Sequence, residues 1–448
     1  MAIDKINATA LLDGGVSTAD LADGAVTAAK LDAAAVTPMA VSDTANTSTG
    51  GFTVPTGTTA QRPGSPDTGE SRMNTTTGSL EYYDGSSWIS TNLIPNISSI
   101  TGNINNSYAT NLVFALTNNT DSVSVIFSEG GTAFHTVTGQ SVSSGSFTLA
   151  VPSQVYGQTT GDTISISIRN SDGTPSGNAI TKTVIAAPVG GTITTSGSYR
   201  IHTFTSSGTL TNPVANTEYL CIAGGGAGAN RHAGGGGAGG YRTATGLNPT
   251  GTITVTVGAG GAGTAYNVGQ GNDGGSSSIA AAGITTVTSV GGGGGGMYGG
   301  SLVGRPGGSG GGGSSVSNGG SGTSGQGNDG GDGTGQNAPD YGGAGGGGAG
   351  GAGSNGSGSA GGNGGAGAAS SITGSSVTRA GGGGGASYNN DSAGGNGGSG
   401  GGGNGRGQGA GYSGTVNTGS GGGGTTHNSP GSNAGSGGSG IVILRYTV

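Results

Sequence analysis

Three aspartates, Asp329, Asp332 and Asp340, lie close together in the second half of the chain. Paired carboxylates of this kind can divide acid and base roles in hydrolysis. Here their neighbours are glycine and asparagine, and the segment reads as a solvated loop. The pairs Asn272-Asp273-Gly274 and Asn328-Asp329-Gly330 carry the residue types of a calcium-binding nonapeptide turn, but they stand far apart and lack a tandem period. The stretch 307–311 spells a nucleophile elbow, Gly-x-Ser-x-Gly, with no helix pattern after it. Gly-x-Gly-x-x-Gly recurs by composition alone and never opens a strand–helix unit, which dinucleotide binding requires. A phosphate-binding P-loop fails for want of lysine, since none follows Lys182. The histidines, His135, His202, His232 and His427, are scattered, and no pair has ligand spacing. Cys221 is the sole cysteine, so neither an intrachain disulfide nor a cysteine zinc site can form. The expectation is a chain without catalytic residues, metal or cofactor.

Composition narrows the class further. Glycine supplies 113 of 448 residues against 13 prolines, and only 7% of residues are charged. That combination fits neither a charge-rich disordered chain nor collagen, whose glycine recurs strictly at every third position among abundant prolines. Net charge is −7, with lysine confined to Lys5, Lys30 and Lys182, which argues against a surface that tracks nucleic-acid phosphates. No apolar stretch approaches the ~20 residues of a spanning helix. The start of the chain, with Asp4 and no apolar core, does not read as a secretory signal.

Four segments follow in order. Residues 1–40 hold a ten-residue repeat that aligns Leu11, Leu21 and Leu31, and Val16, Val26 and Val36. Each unit is too small to bury its own leucine and valine, so the repeat reads as an oligomerising stem. Residues 41–92 comprise a linker and a small β-hairpin module marked by Asp84-Gly85 among aromatic, alternating residues, across which Trp88 packs. Residues 93–188 carry alternating β runs at 112–116, 122–127, 146–151 and 163–168, with Gly130-Gly131, Gly161-Asp162 and Asp172-Gly173 as turns. This predicts an immunoglobulin-like β-sandwich that lacks the cysteine pair. Residues 189–448 form a glycine-rich domain, bracketed by the apolar strands 219–223 and 441–446. A loose echo runs through it: Ser277-Ser278-Ile279 precedes glycines 291–296, and Ser370-Ser371-Ile372 precedes glycines 381–385. The fold class is thus mostly β, multidomain and fibrous.

A linker has no reason to end in a buried strand, so the glycine is expected to fold. Polyglycine II-like helices have three residues per turn, and without Cβ atoms they can pack closely and pair their amides laterally. The entropic cost, ~1–2 kcal/mol per residue fixed and worse for glycine, requires a dense hydrogen-bond lattice. Bulky inserts cannot enter such a lattice and should be pushed to its ends. Tyrosine and asparagine are also favoured in rigid recognition loops. The candidate recognition residues are therefore Tyr266, Asn267, Met297, Tyr298, Asp340, Tyr341, Tyr388, Asn389, Asn390, Asp391, Tyr412 and His427.

These residues stand in a recognisable setting. The segments "YLCIAGGGAGANRHAGGGGAGGYR", "TITVTVGAGGAG" and "GGSGIVILRY" resemble the glycine-rich domain of bacteriophage tail-fibre adhesins. The repeat "LADGAVTAAKL" and the hairpin "RPGSPDTGESRMNTTTGSLEYYDGSSW" are similar to tail-fibre modules. The resemblance implies a virion tail fibre attached by its N-terminus to a phage tail or baseplate protein, with a tip that binds a host surface receptor, protein or glycan. It implies packed polyglycine II helices whose connecting loops touch the receptor. The chain departs from monomeric tip adhesins by carrying its own stem, which favours a homotrimer. No nucleic-acid partner or membrane insertion is expected. The rival readings are a purely structural virion fibre or spike, and a depolymerase. The depolymerase is disfavoured because no parallel β-helix repeat with an acidic cleft is evident.

Overall fold

The computed structural model describes residues 54–76, 79–90, 96–107, 109–117, 122–170, 177–266, 268–299, 302–333, 335, 340–388, 394–426 and 432–448. The stem repeat of residues 1–40 lies outside the described residues. The chain is mostly β, and it divides into two compact units, residues 1–91 and 92–448.

The described part of the first unit is a four-stranded sheet in the order Thr56–Gly57, Ser71–Asn74, Ser79–Tyr83, Trp88–Ser90. Its turn at Asp84-Gly85 forms as the sequence predicts: Gly85 has φ 99°, and the Asp84 carboxylate accepts the backbone N–H groups of Ser86 and Ser87. Trp88 lies against Tyr83, with ring centroids 5.8 Å apart. Beneath the sheet Glu81 is fully buried, paired with Arg62 at 2.6 Å and Arg72 at 3.4 Å and accepting from Asn74 Nδ2 at 2.9 Å. Burial pushes the Glu81 carboxyl up. The hydrogen bonds from Arg62 and Asn74 and the charges of both arginines outweigh that and hold it below the usual carboxylate range.

The second unit begins with two sheets that enclose one apolar core. A three-stranded sheet runs Ser146–Ala150, Asn111–Thr117, Asn96–Thr101. A five-stranded one runs Ile104–Asn105, Ile180–Ile185, Thr163–Asn170, Val123–Glu129, Thr132–Gln140. Alternation along the strands supplies the core: Leu112, Phe114, Val125, Phe127, Ile164, Ile166 and Ile168 are all fully buried. Gly130 and Gly131, both at positive φ, make the two-residue turn between Val123–Glu129 and Thr132–Gln140.

The glycine-rich part is anchored by a five-stranded sheet in the order Thr192–Ser196, Tyr199–Phe204, Ile441–Thr447, Thr217–Ile222, Tyr241–Leu247. The last strand of the chain is therefore central. Both of its faces are covered, which explains its unbroken apolar run. Val442 and Leu444 join Phe204, Cys221, Ile253 and Ile279 in a core shared with a four-stranded sheet, while Ile441 and Ile443 join Ile201, Leu220, Ile222 and Ile372 on the other face. The internal echo resolves into two β-hairpins, Ser277–Ala280 with Val287–Ser289 and Ala368–Ser370 with Val377–Arg379. Each launches a glycine run.

The runs themselves are neither α-helix nor strand. Their amides follow a rule of three. Along run 233–240, Gly234, Gly237 and Gly240 donate to Gly296, Gly293 and Val290; Gly235 and Ala238 to Ala344 and Gly347; Gly236 and Gly239 to Gly422 and Gly419. Its carbonyls accept from three more runs, through Gly226 and Ala229, Ser309 and Gly312, and Gly383 and Ala386. Six neighbours thus surround one fully buried hub. The same three-residue alternation recurs along 342–348, where Gly343 and Gly346 donate to Ala386 and Gly383, Ala344 and Gly347 to Gly313 and Gly310, and Gly345 and Gly348 to Ser354 and Gly351.

At the margins, where a neighbouring run is missing, side chains stand in for its carbonyls. Asp273 Oδ1 accepts Gly294 N at 2.9 Å, Asp329 Oδ1 accepts Gly322 N at 2.7 Å, and Asp332 Oδ1 accepts Gly319 N at 2.8 Å. Asn272 and Asn328 donate to the carbonyls of Ala262 and Gly348, each at 2.8 Å. Both asparagine–aspartate pairs therefore do the same structural job.

Two measurements follow. A Cβ at Gly236 would overlap the backbone carbonyl of Gly226, whereas one at Gly351 would come no nearer than 3.7 Å to anything. We expect Gly236→Ala to cost ~3 kcal/mol or more, beyond ordinary overpacking, and Gly351→Ala to stay within about 0.5 kcal/mol, both read by thermal or denaturant unfolding. His202 is fully buried, its Nδ1 2.8 Å from Gly190 O and its Nε2 3.0 Å from the Tyr446 hydroxyl. A carbonyl can only accept, so the proton sits on Nδ1 and Nε2 is left to accept from Tyr446. Burial lowers the His202 pKa, partly opposed by the Gly190 bond. The unfolded chain then binds this proton more readily than the folded one. The contribution to stability is full above the unfolded value of about 6.5 and is lost as pH falls towards the folded value. His202→Gln should shrink the drop in unfolding temperature of the glycine-rich part between pH 7.5 and 5.

Candidate functional site

The hub run is entered through Asn230, Arg231 and His232. Arg231 and His232 have φ of 64° and 49°, so two side chains occupy consecutive left-handed positions where glycine would be the easy choice. This reversal, together with the ends of the surrounding runs, builds the site. Tyr298 follows run 290–297, Tyr341 opens run 341–349, and Tyr388 follows run 380–387. All three rings close on His232. Tyr341 stacks at 4.7 Å and 19°, Tyr388 lies at 5.3 Å, and Tyr298 meets it edge-on at 5.7 Å. Tyr341 touches both other tyrosines, at 5.5 and 5.2 Å.

Backbone bonds fix the geometry. Tyr298 N donates to Arg231 O at 3.0 Å and Ser315 N to His232 O at 3.1 Å. His232 Nδ1 shares a hydrogen bond with Thr426 Oγ1 at 3.2 Å. His232 is buried while the three tyrosines are half-buried. Arg231, His232 and the three rings line a cavity of about 170 Å³. Arg231 carries the only formal charge among those five residues, and its guanidinium lies over Gly299, where a Cβ would come within 3.0 Å of it. Nearby, Asn230 Oδ1 and the hydroxyls of Ser314, Ser315 and Ser387 are buried and find no partner among the described residues.

The other candidate residues are placed as follows. Tyr266 is half-buried in the turn after Thr264 and Ala265, whose carbonyls accept from Asn230 Nδ2 at 2.8 and 3.0 Å. Met297 does not face solvent; it is buried against Ala229 and Ala233. Asp340 is exposed, its carboxylate towards Gly358. Tyr412 is half exposed, but it is not in a loop at a run end. Its N–H donates to Asn404 O and its carbonyl accepts from Gly423 N, so its backbone belongs to the lattice and its ring hangs off the flank. There it hydrogen-bonds Arg406, whose guanidinium lies 4.5 Å from the ring centroid. A ring at the lattice margin has solvent to enter, which the expectation that bulk must sit at run ends overlooked. Asn267, Asn389, Asn390, Asp391 and His427 lie outside the described residues. His232 and Arg231 were missed as site residues. Their signal was the break they make between two glycine runs, the same signal that marked the tyrosines.

The family model for a glycine-rich domain matches residues 201–447, more than half of the chain. The chain belongs to that glycine-rich domain family. The match starts within Tyr199–Phe204 and ends within Ile441–Thr447, so the glycine-rich domain is bounded by the two strands that pair at its base. No curated protein matches the chain.

His232→Asn tests what holds the cluster together, since asparagine tolerates the left-handed backbone. Aromatic pairs contribute ~0.5–1.5 kcal/mol each beyond burial. With three lost together and not additive, we expect the glycine-rich domain to lose about 2 kcal/mol. Near-ultraviolet circular dichroism should show the tyrosines released, while hydrogen exchange of the hub amides changes little.

Proposed function

We propose that this chain is a bacteriophage tail-fibre protein that binds a host surface receptor through the aromatic cluster at the tip of its glycine-rich domain. In this reading the glycine runs are packed polyglycine II helices, and the sandwich preceding them is an immunoglobulin-like spacer. The stem repeat attaches to a phage tail or baseplate protein and holds a homotrimer. The fibre is not an enzyme and resides in the virion. The observation that carries the reading is the convergence of Tyr298, Tyr341 and Tyr388, each from a different interruption of the glycine, on one partly open cavity over His232. The three-residue hydrogen-bond alternation supports the helical assignment, because polyglycine II turns once every three residues. Single contacts at such a cavity are weak, and a trimeric fibre would multiply them by avidity.

The alternative is a purely structural fibre, which needs the lattice but not the cavity. Competition separates the two. Purified full-length protein should block phage adsorption to host cells, and a Tyr298→Ser, Tyr341→Ser, Tyr388→Ser variant with an intact unfolding transition should lose most of that block, tenfold or more. Undiminished competition by the folded triple variant would assign recognition elsewhere. Absence of any competition by the parent protein would favour the structural fibre. Release of reducing sugar from host polysaccharide would replace adhesion with depolymerisation.

A further inference from the structure

Resting on that reading, we infer that the tip cavity takes one carboxylate-bearing sugar residue of a surface polysaccharide. Size comes first. About 170 Å³ is well below the ~300–1,000 Å³ of pockets for drug-sized ligands, and suits a single ring or a single side chain. The walls come next. Tyr298, Tyr341 and Tyr388 offer flat faces and hydroxyls together, an amphipathic lining that matches a pyranose with an apolar face and a hydroxylated rim. Charge then selects among sugars. Among the described residues the lining's one formal charge is Arg231, in a chain of net charge −7. A guanidinium has five donors in a planar fork that fits a carboxylate bidentately. A bond it makes within the protein therefore leaves donors for a ligand. Its left-handed backbone, φ 64°, holds the arginine where a glycine would sit without strain, which is a reason to look for work done by the side chain.

A peptide is the competing class. Extended peptides bind by adding to an unpaired backbone edge. At this tip the run amides are already committed: those of 234–240 to three neighbouring runs of the lattice, and Tyr298 N and Ser315 N to the reversal. An acidic side chain alone could enter the cavity, but its backbone would find no edge there.

The test uses the full chain and free methyl glucuronide, titrated by saturation-transfer NMR or calorimetry. The neutral methyl ester of the same sugar and an acidic phosphopeptide serve as comparisons. We expect glucuronide binding with a Kd on the order of 1 mM, about tenfold weaker for the ester, and similarly weaker after Arg231→Gln with the unfolding transition unchanged. Arg231→Lys should recover only part of it, because lysine keeps the charge and loses the fork. Equal binding of the ester would overturn the carboxylate assignment, and preferential binding of the phosphopeptide would overturn the sugar. Should no acidic sugar bind while the triple tyrosine variant still loses adsorption block, the ligand class fails and the adhesion reading stands. Should the triple variant block adsorption as the parent does, the adhesion reading itself fails.

Discussion

The glycine-rich domain depends on lateral backbone hydrogen bonding between runs that approach closely enough only because they lack Cβ atoms. Along the hub, successive amides point to three different neighbours, and successive carbonyls receive from three others. A buried amide left without a partner costs ~1–3 kcal/mol, so every position of the hub is coupled to a run distant in sequence. A single Cβ at Gly234, Gly235, Gly236 or Gly237 would strike a neighbour's carbonyl. Glycine here serves close approach more than unusual dihedrals, since none of these four lies at positive φ. The large entropic cost of fixing glycine is met collectively, and a partial lattice would have little to hold it. The central position of Ile441–Thr447 in the basal sheet fits that requirement, since this strand ties segments from both sides of the glycine runs into one sheet.

The same constraint explains the residues that are not glycine. Inside, Ala238 carries its methyl into the apolar cluster with Ile222 and Ile443 in the core under the sheet. At the margins asparagine, aspartate and serine return the hydrogen bonds that an absent run would have made. Two of the three aspartates singled out in the sequence lie on that margin. Asp329 and Asp332 accept backbone amides, and Asp273 adds an exposed pair with Arg305 at 3.0 Å. Their spacing follows the lattice edge.

Much of this was legible in the sequence, and the limits are physical. The bracketing strands, the Asp84-Gly85 turn and the alternating β runs at 112–116, 122–127, 146–151 and 163–168 are local patterns of alternation and turn chemistry, and strands and turn appear where those patterns place them; the internal echo was visible as a repeat, but not as the pair of hairpins it forms. Strands with weaker patterns, such as Thr132–Gln140 and Tyr241–Leu247, could not be read, because exposed threonine-rich sequence satisfies a sheet edge without advertising it. The lattice register was also illegible. A glycine run carries no side-chain code for its neighbours, so nothing in the sequence distinguishes 233–240 as the hub. His232 consequently looked like one scattered histidine among four, although it caps the run on which six others close. Met297 and Tyr412 were grouped with the tip tyrosines because each interrupts glycine. One turned inward onto two alanines and the other outward from the flank, a difference set by which neighbours each run happens to have.

What the lattice excludes, its ends collect, and this separates the backbone bonds that hold the domain from the side chains displayed at the ends of its runs. The amides of the hub are satisfied by neighbouring runs, so the aromatic side chains gathered at its entry can be exchanged without altering the bonds beneath. Insertions between runs lengthen connections at a cost that grows only logarithmically. A surface built this way can change its chemistry residue by residue while its scaffold tolerates almost no change. The hub reversal is the point where the two regimes meet. Arg231 and His232 keep a backbone conformation that the lattice requires and carry side chains that it does not. Those two side chains line the cavity with Tyr298, Tyr341 and Tyr388, so the one turn that starts the hub also supplies the wall on which the three rings close.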